Sequence, residues 1–132
     1  MRPLATTFHL ASPGGQANRL YALAKRAGLR VHKGDFAFPT VVAKRDGRVI
    51  GFLATSPSAD AVVAGPFVTE GGRNPILFLR LLESYENVMR KAGVAAYLYR
   101  VEERFAPQMV ELGFRSLVES DEAGAIMMRK DL

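Results

Sequence analysis

The sequence predicts an α/β (α+β) fold, a mixed sheet of about six to seven strands flanked by three helices. Strand and helix signals follow one another in the order β-α-β-β-β-α-β-α-β-β. An Asp-Gly pair between two β-rich runs indicates an antiparallel hairpin. A strand–helix–strand succession over residues 61–101 requires parallel neighbours joined by a right-handed crossover. With 132 residues, we expect a single domain, residues 1–132.

The first quarter of the chain indicates one strand and one helix. Residues 4–10 favour a strand because threonine and phenylalanine prefer extended backbone. Ser12 followed by Pro13 is typical of a helix start, with serine as the cap and proline in the first turn. Leucine and alanine then recur at helical spacing as far as Gly28, which suits a left-handed stop.

The second quarter predicts the hairpin. Residues 39–44 and 48–54 are rich in β-formers and flank Asp46-Gly47, the preferred two-residue turn. A further strand is predicted over residues 61–68, although it contains Gly65-Pro66. Proline cannot donate a ladder hydrogen bond, so we expect a bulge or bend there.

The strongest helix signal follows that strand. Asn74 is a favourable cap, Pro75 fits the first turn, and Gly93 suits the stop. Apolar residues repeat every three or four positions between these limits, and we interpret the stripe as core packing. Its members are Phe78, Leu81, Leu82, Tyr85, Val88, Met89 and Ala92. The remaining elements are a strand at 94–101, a short helix at 103–112, and strands at 114–118 and 125–129.

Composition excludes several kinds of site. The chain has no cysteine, which excludes disulfides, thiolate metal sites and cysteine nucleophiles, and its two histidines cannot form a histidine-rich metal centre. We therefore expect no metal. No apolar run is long enough to cross a bilayer, and the N-terminus lacks a secretory core. We expect a cytoplasmic protein without a membrane partner.

The net charge of +5 favours anionic partners such as phosphorylated cofactors or nucleic acid. The basic residues are spread along the chain rather than gathered in a tail or a run, as on an ordinary solvated surface. No exposed aromatic residues alternate with them in the way that single-strand binding requires. Nucleic acid is therefore the weakest of the function hypotheses.

The order of elements, with a bulged strand followed by a loop and a long helix, resembles the GNAT acyltransferase superfamily over nearly the whole chain. In that family, the loop after the fourth strand carries an arginine and glycines whose amides hold the coenzyme A pyrophosphate, as helix starts commonly do. Arg73 matches that arginine, and Leu81-Leu82 matches an aliphatic pair further along the helix. The resemblance implies acetyl-CoA as co-substrate and an unidentified amine as acceptor. It is also compatible with a homodimer.

The resemblance assigns a cofactor-binding set at the end of the fourth strand and the start of the next helix. Its members are Phe67, Val68, Thr69, Gly71, Gly72, Arg73, Asn74 and Ile76. The amides of Phe67 and Val68 would face the thioester beyond the bulge. The sequence departs from the family where glycines should follow the arginine, because Ile76 and Phe78 stand there and would narrow the helix start.

The catalytic candidates are Tyr97, Tyr99 and Glu70. Many family members carry a tyrosine that protonates the leaving thiolate, but this chain has Met109 at that position, which reads as a core residue. Tyr97 and Tyr99 share one sheet face, so one could replace the missing acid, although packing is the plainer interpretation of both. Glu70 is the candidate base, and His32, in the irregular segment, is an alternative.

Two functions remain open at this point. The first is an acyl-CoA-dependent N-acetyltransferase that works by direct transfer. The second is a catalytically inactive GNAT-like scaffold acting as a binding or structural protein, a role that phage-encoded accessory proteins could fill. The missing glycines and Met109 motivate the second hypothesis, since a fold does not fix a function.

Overall fold

The computed structural model describes residues 6–11, 17–26, 39–56, 58, 61–72, 74–117 and 123–132. These residues form β1 (Thr6–Leu10), α1 (Ala17–Arg26), β2 (Val41–Arg45), β3 (Arg48–Ser56), β4 (Val63–Thr69), α2 (Pro75–Lys91), β5 (Ala96–Glu102), α3 (Ala106–Glu111), β6 (Arg115–Ser116) and β7 (Ala125–Asp131). A short 3-10 turn, Glu103–Phe105, precedes α3. The predicted order of elements is confirmed. Ser12-Pro13, Gly28 and His32 lie outside the described residues.

The strands form one mixed sheet in the order β1-β2-β3-β4-β5-β7-β6. Strands β4 and β5 are parallel, and the other neighbouring pairs are antiparallel. The helix α2 supplies the connection between the parallel pair, as the succession over 61–101 predicts. The tight β2–β3 turn is also confirmed: Asp46 and Gly47 both have positive φ, 54° and 72°, as a type I′ turn requires.

The predicted bulge lies at Gly65-Pro66. Leu53 of β3 pairs with Phe67, whereas Thr55 pairs with Ala64, so two residues of β4 stand opposite one residue of β3. The missing N–H of proline therefore falls where the ladder is already interrupted.

The helices cover the two faces of the sheet. On one face, α1 packs on a cluster that contains Val42, Phe52 and Val68. On the other face, α2 and α3 pack on a larger cluster. That cluster contains Val41 and Leu53, which are next in sequence to Val42 and Phe52. Alternation along β2 and β3 assigns successive residues to opposite faces, which is why each strand feeds both clusters.

The long helix α2 is fixed at both ends by its own sequence. Asn74 caps it, because its side-chain oxygen accepts a hydrogen bond from the Leu77 amide at 3.1 Å. At the other end, Gly93 has a φ of 80°, and the Val94 amide donates to the Met89 carbonyl. Across the described ranges, no helix combines the length and the apolar character needed to cross a membrane.

Candidate functional site

The parallel strands β4 and β5 separate toward their carboxyl ends. Their pairing is confined to Val63 with Leu98 and Ala64 with Tyr99, at the beginning of β4. The bulge follows at once, and the last residues of β4 pair with β3 and not with β5. Helices α2 and α3 begin just after the carboxyl ends of β4 and β5, respectively. In sheets of this kind, ligands bind at the carboxyl ends of parallel strands.

A cavity of about 690 Å³ occupies this end of the sheet. Its walls come from β4, the start of α2, the end of β5, and α3. The lining residues are Phe67, Asn74, Pro75, Phe78, Leu79, Tyr99, Arg100, Val101, Glu102, Arg104, Phe105, Gln108, Met109, Glu111 and Leu112. The lining is mostly apolar with polar groups toward α3, the usual character of a pocket for an organic ligand.

Three aromatic rings connect the two separated strands inside the cavity. The Phe78 ring of α2 lies edge-on to the Phe67 ring of β4, with centroids 4.8 Å apart. It also lies edge-on to the Tyr99 ring of β5, at 5.9 Å. The apolar stripe of α2 therefore divides: Leu81, Tyr85 and Met89 are buried as predicted, whereas Phe78 is half-buried and lines the cavity.

Tyr99 is the catalytic candidate that reaches the cavity. Its ring also contacts Phe114 on the core side. Among the residues that the structure describes, none forms a hydrogen bond with its hydroxyl group. Burial raises the pKa of this hydroxyl above its ordinary value, so Tyr99 carries its proton at neutral pH. A hydroxyl that no described residue binds is available to a ligand in the cavity.

Tyr97 has a different environment although it shares the same face of β5. Its hydroxyl donates a 2.5 Å hydrogen bond to Glu86 of α2. The Glu86 carboxylate also forms an ion pair with Lys130 of β7, in which Oε2 lies 2.9 Å from the lysine Nζ. Burial, followed by the bond to Glu86, raises the pKa of Tyr97. Tyr97 is not among the residues that line the cavity.

The predicted cofactor loop lies beside the start of α2. Gly71 and Gly72 have φ values of 79° and 96°, a region that favours glycine. Apart from the adjacent residues in sequence, no described atom lies within 4 Å of the position that a Cβ would take on either glycine, which leaves room for a ligand to approach the main chain there. The Thr69 hydroxyl donates to the Gly72 carbonyl and closes the turn. Arg73 lies outside the described residues.

The start of α2 offers few free amides. Pro75 has no N–H, and the Leu77 amide is already bound by the Asn74 side chain. The Phe78 amide donates to the Asn74 carbonyl at 3.0 Å. No described residue accepts a hydrogen bond from the Ile76 amide, the remaining donor of the first turn, and the Ile76 side chain is 73% exposed. The residues present fit an apolar arm in the cavity better than they fit a pyrophosphate at the helix start.

Of the remaining residues that the sequence singled out, Val68 and Glu70 do not line the cavity, whereas Met109 does. The Val68 side chain is buried on the opposite face, in the cluster under α1, so only its main chain could meet a ligand. Glu70 is an exposed turn residue whose carboxylate pairs with Arg48 at 3.1 Å. Met109 is buried against the core and lines the cavity. Its thioether side chain has no exchangeable proton, so it cannot act as an acid.

Sequence reasoning missed the polar side of the cavity. Glu102, Arg104, Gln108 and Glu111 line it from the end of β5 and from α3. Glu102 and Arg104 form an ion pair at 2.7 Å. Their position directly after a parallel strand could have indicated them, because ligands bind at the carboxyl ends of such strands.

Comparisons with known proteins identify the fold. No protein-family model and no curated protein matches the sequence. Among solved structures, an acyl-CoA N-acyltransferase from Pseudomonas aeruginosa is similar with a TM-score of 0.82 and 14% identity, over 96% of this chain and 99% of that one. The ribosomal-protein-S18-alanine N-acetyltransferase from Escherichia coli is similar with a TM-score of 0.74 and 18% identity, over 96% and 94%. An N-acetyltransferase from Thermoplasma acidophilum, solved in complex with coenzyme A, has a TM-score of 0.68 and 14% identity, over 96% and 99%.

The similar chains are N-acyltransferases of nearly the same length, and the match extends over almost every residue of this protein. The chain therefore has the fold of the GNAT N-acetyltransferases.

Proposed function

We propose that the protein is an N-acetyltransferase that uses acetyl-CoA and transfers the acetyl group directly to an amine. The observation that carries this proposal is the cavity between the separated ends of β4 and β5, enclosed by the starts of α2 and α3. The GNAT fold supports it, because coenzyme A is bound in the Thermoplasma acidophilum structure.

The chain supplies binding groups for two parts of such a ligand. The apolar walls at Phe67 and Leu79 suit the pantetheine arm. The open main chain at Gly71 and Gly72, with Arg73 beside it in sequence, suits the phosphates. Because the start of α2 offers few free amides, we expect Arg73 to contribute more to phosphate binding than the helix start does.

Tyr99 is the proton donor in this proposal. Direct transfer forms the amide C–N bond and breaks the thioester C–S bond; the departing sulfur takes a proton from Tyr99, and the proton that the attacking amine loses restores the Tyr99 hydroxyl, so the step balances. Tyr99 holds its proton inside the cavity without another acceptor among the described residues, which suits this role. Tyr97 is engaged by Glu86, and Glu70 is engaged by Arg48, so neither is free for chemistry in this arrangement.

The binding step is tested by isothermal titration with acetyl-CoA and with coenzyme A. We expect micromolar affinity, which corresponds to about −8 kcal/mol. Arg73→Glu should abolish binding, whereas the control Arg26→Glu should not, because Arg26 ends α1 on the opposite face of the sheet. Equal affinity in both variants would remove Arg73 from the site, and no binding at millimolar ligand would contradict the proposal.

A second function is favoured by one observation in the cavity. Met109 lies where an acid would be expected and is packed into the core. This suits a scaffold that binds a ligand or partner without turnover. Thiol release from acetyl-CoA with a broad panel of amines distinguishes the two functions: binding without turnover by any amine supports the scaffold, and turnover excludes it.

A further inference from the structure

The Phe78 ring occupies the space between β4 and β5 on the side of α2. Its contacts with Phe67 and Tyr99 join the two strands at the place where their main chains have separated. Phe78 lies on the first turn of α2, just after the capping Asn74. The ring is therefore placed between the helix start and the gap in the sheet.

A long ligand must pass this ring. If its phosphates lie at Gly71 and Gly72 and its reactive end lies beyond the bulge, its arm runs along the cavity wall that Phe78 forms. The ring is held in place by two edge-to-face contacts, each of which has a favourable energy that must be given up when the ring moves. The cost of moving it appears as weaker binding of the whole ligand.

We propose that Phe78 is a specificity-determining residue that restricts entry of the pantetheine arm, so that coenzyme A binds only when the ring leaves Phe67 and Tyr99. This inference rests on the proposed function. The nucleotide end of coenzyme A does not pass the ring, and its binding is independent of Phe78. Removing the ring improves binding of the complete ligand and leaves binding of its nucleotide end unchanged.

Two ligands and three variants test the inference by isothermal titration. The ligands are coenzyme A and 3′-phospho-ADP, its nucleotide portion. Phe78→Ala is expected to bind coenzyme A about tenfold tighter than the wild type, since two ring contacts no longer have to be broken. Its affinity for 3′-phospho-ADP is expected to equal that of the wild type. Phe78→Leu, which keeps an apolar side chain but no ring, serves if the alanine variant does not fold.

The matched control is Phe105→Ala, which removes the same ring from the α3 side of the cavity. It should not tighten coenzyme A binding. Unchanged or weaker coenzyme A binding in both Phe78 variants, with 3′-phospho-ADP still bound, would overturn the inference and leave the proposed function in place. If neither ligand binds any variant, the proposed function fails and the inference fails with it.

Discussion

The sheet-facing side of α2 has two regions with opposite properties. The closed region, near the end of the helix, consists of Tyr85, Glu86, Tyr97 and Lys130. The open region, near its start, consists of Phe67, Phe78 and Tyr99. In the closed region each polar side chain has a protein partner, whereas in the open region the Tyr99 hydroxyl faces a cavity. The same helix and strand thus hold a structural network and a cavity side by side.

Tyr85 shows how complete the closed region is. The Thr55 hydroxyl donates to the Pro39 carbonyl at 2.7 Å. Thr55 has a single proton to donate, so the 2.7 Å contact between Thr55 and Tyr85 is donated by Tyr85. Each of the four side chains of the closed region thus has a polar partner among the described residues, and such pairing stabilises a buried polar network.

Glu86→Ala is expected to have the largest effect on stability. It leaves Lys130 and the buried Tyr97 hydroxyl without their acceptor, and loss of one partner of a buried ion pair costs about 3 kcal/mol. Urea denaturation measures the change. The control Glu83→Ala, at an exposed position of the same helix, should stay within about 0.5 kcal/mol of the wild type. A similar loss of stability in both variants would show that the contacts of Glu86 do not stabilise the fold.

The two β5 tyrosines provide the sharpest comparison. Tyr97→Phe is expected to lose about 2 kcal/mol, because a hydrogen bond to a buried carboxylate disappears. Tyr99→Phe is expected to lose less than about 0.5 kcal/mol, since no described residue bonds to its hydroxyl. If the protein is the proposed acetyltransferase, Tyr99→Phe should lower the transfer rate about 100-fold. Equal stability losses would show that the two environments do not differ.

Alkaline pH should weaken the fold through the closed region. Tyrosines of the unfolded chain ionise near pH 10, whereas burial and the Glu86 carboxylate keep the folded Tyr97 neutral to higher pH. The unfolded state then holds fewer protons, so the free energy of unfolding falls as pH rises above about 10. The contribution of Tyr97 is at most about 1.4 kcal/mol per pH unit. Denaturation between pH 9 and 11 should give a shallower slope for Tyr97→Phe, and an unchanged slope would contradict this assignment.

Asn74→Ala, at the edge of the open region, is expected to have a smaller effect on stability than Glu86→Ala or Tyr97→Phe. Loss of the cap should cost about 1 kcal/mol, because the Leu77 amide loses its acceptor. Asn87→Ala, an exposed substitution within the same helix, is the control and should be nearly neutral. Thermal melts compare the two variants. If Asn74→Ala melts at the same temperature as the wild type, the helix start does not depend on this cap.

Much of the fold could be predicted because its signals are local. The Asp46-Gly47 turn, the Asn74 cap and the Gly93 stop each act within a few residues, and the structure confirms them. The bulge was predictable because Pro66 lacks a donor wherever it is placed. The parallel pairing followed from the length of the crossover between its strands.

The site could be predicted only in part, because its contacts join distant segments. Alternation placed Tyr97 and Tyr99 on one face but could not show that Glu86 bonds to only one of them. Glu86 itself had a signal that went unused: it lies four residues after Leu82 and three before Met89, on the buried stripe. The ring contacts of Phe78 depend on how far β4 and β5 separate, which no local pattern encodes.

If the open region binds acyl-CoA as proposed, the closed region should keep its structure when the ligand is added. Amide chemical shifts of the labelled protein, recorded by NMR as coenzyme A is added, distinguish the two regions. We expect large shifts at Phe67, Phe78 and Tyr99 and small shifts throughout the closed region. Shifts centred on the closed region or on the α1 face, or no shifts at saturating ligand, would contradict this expectation.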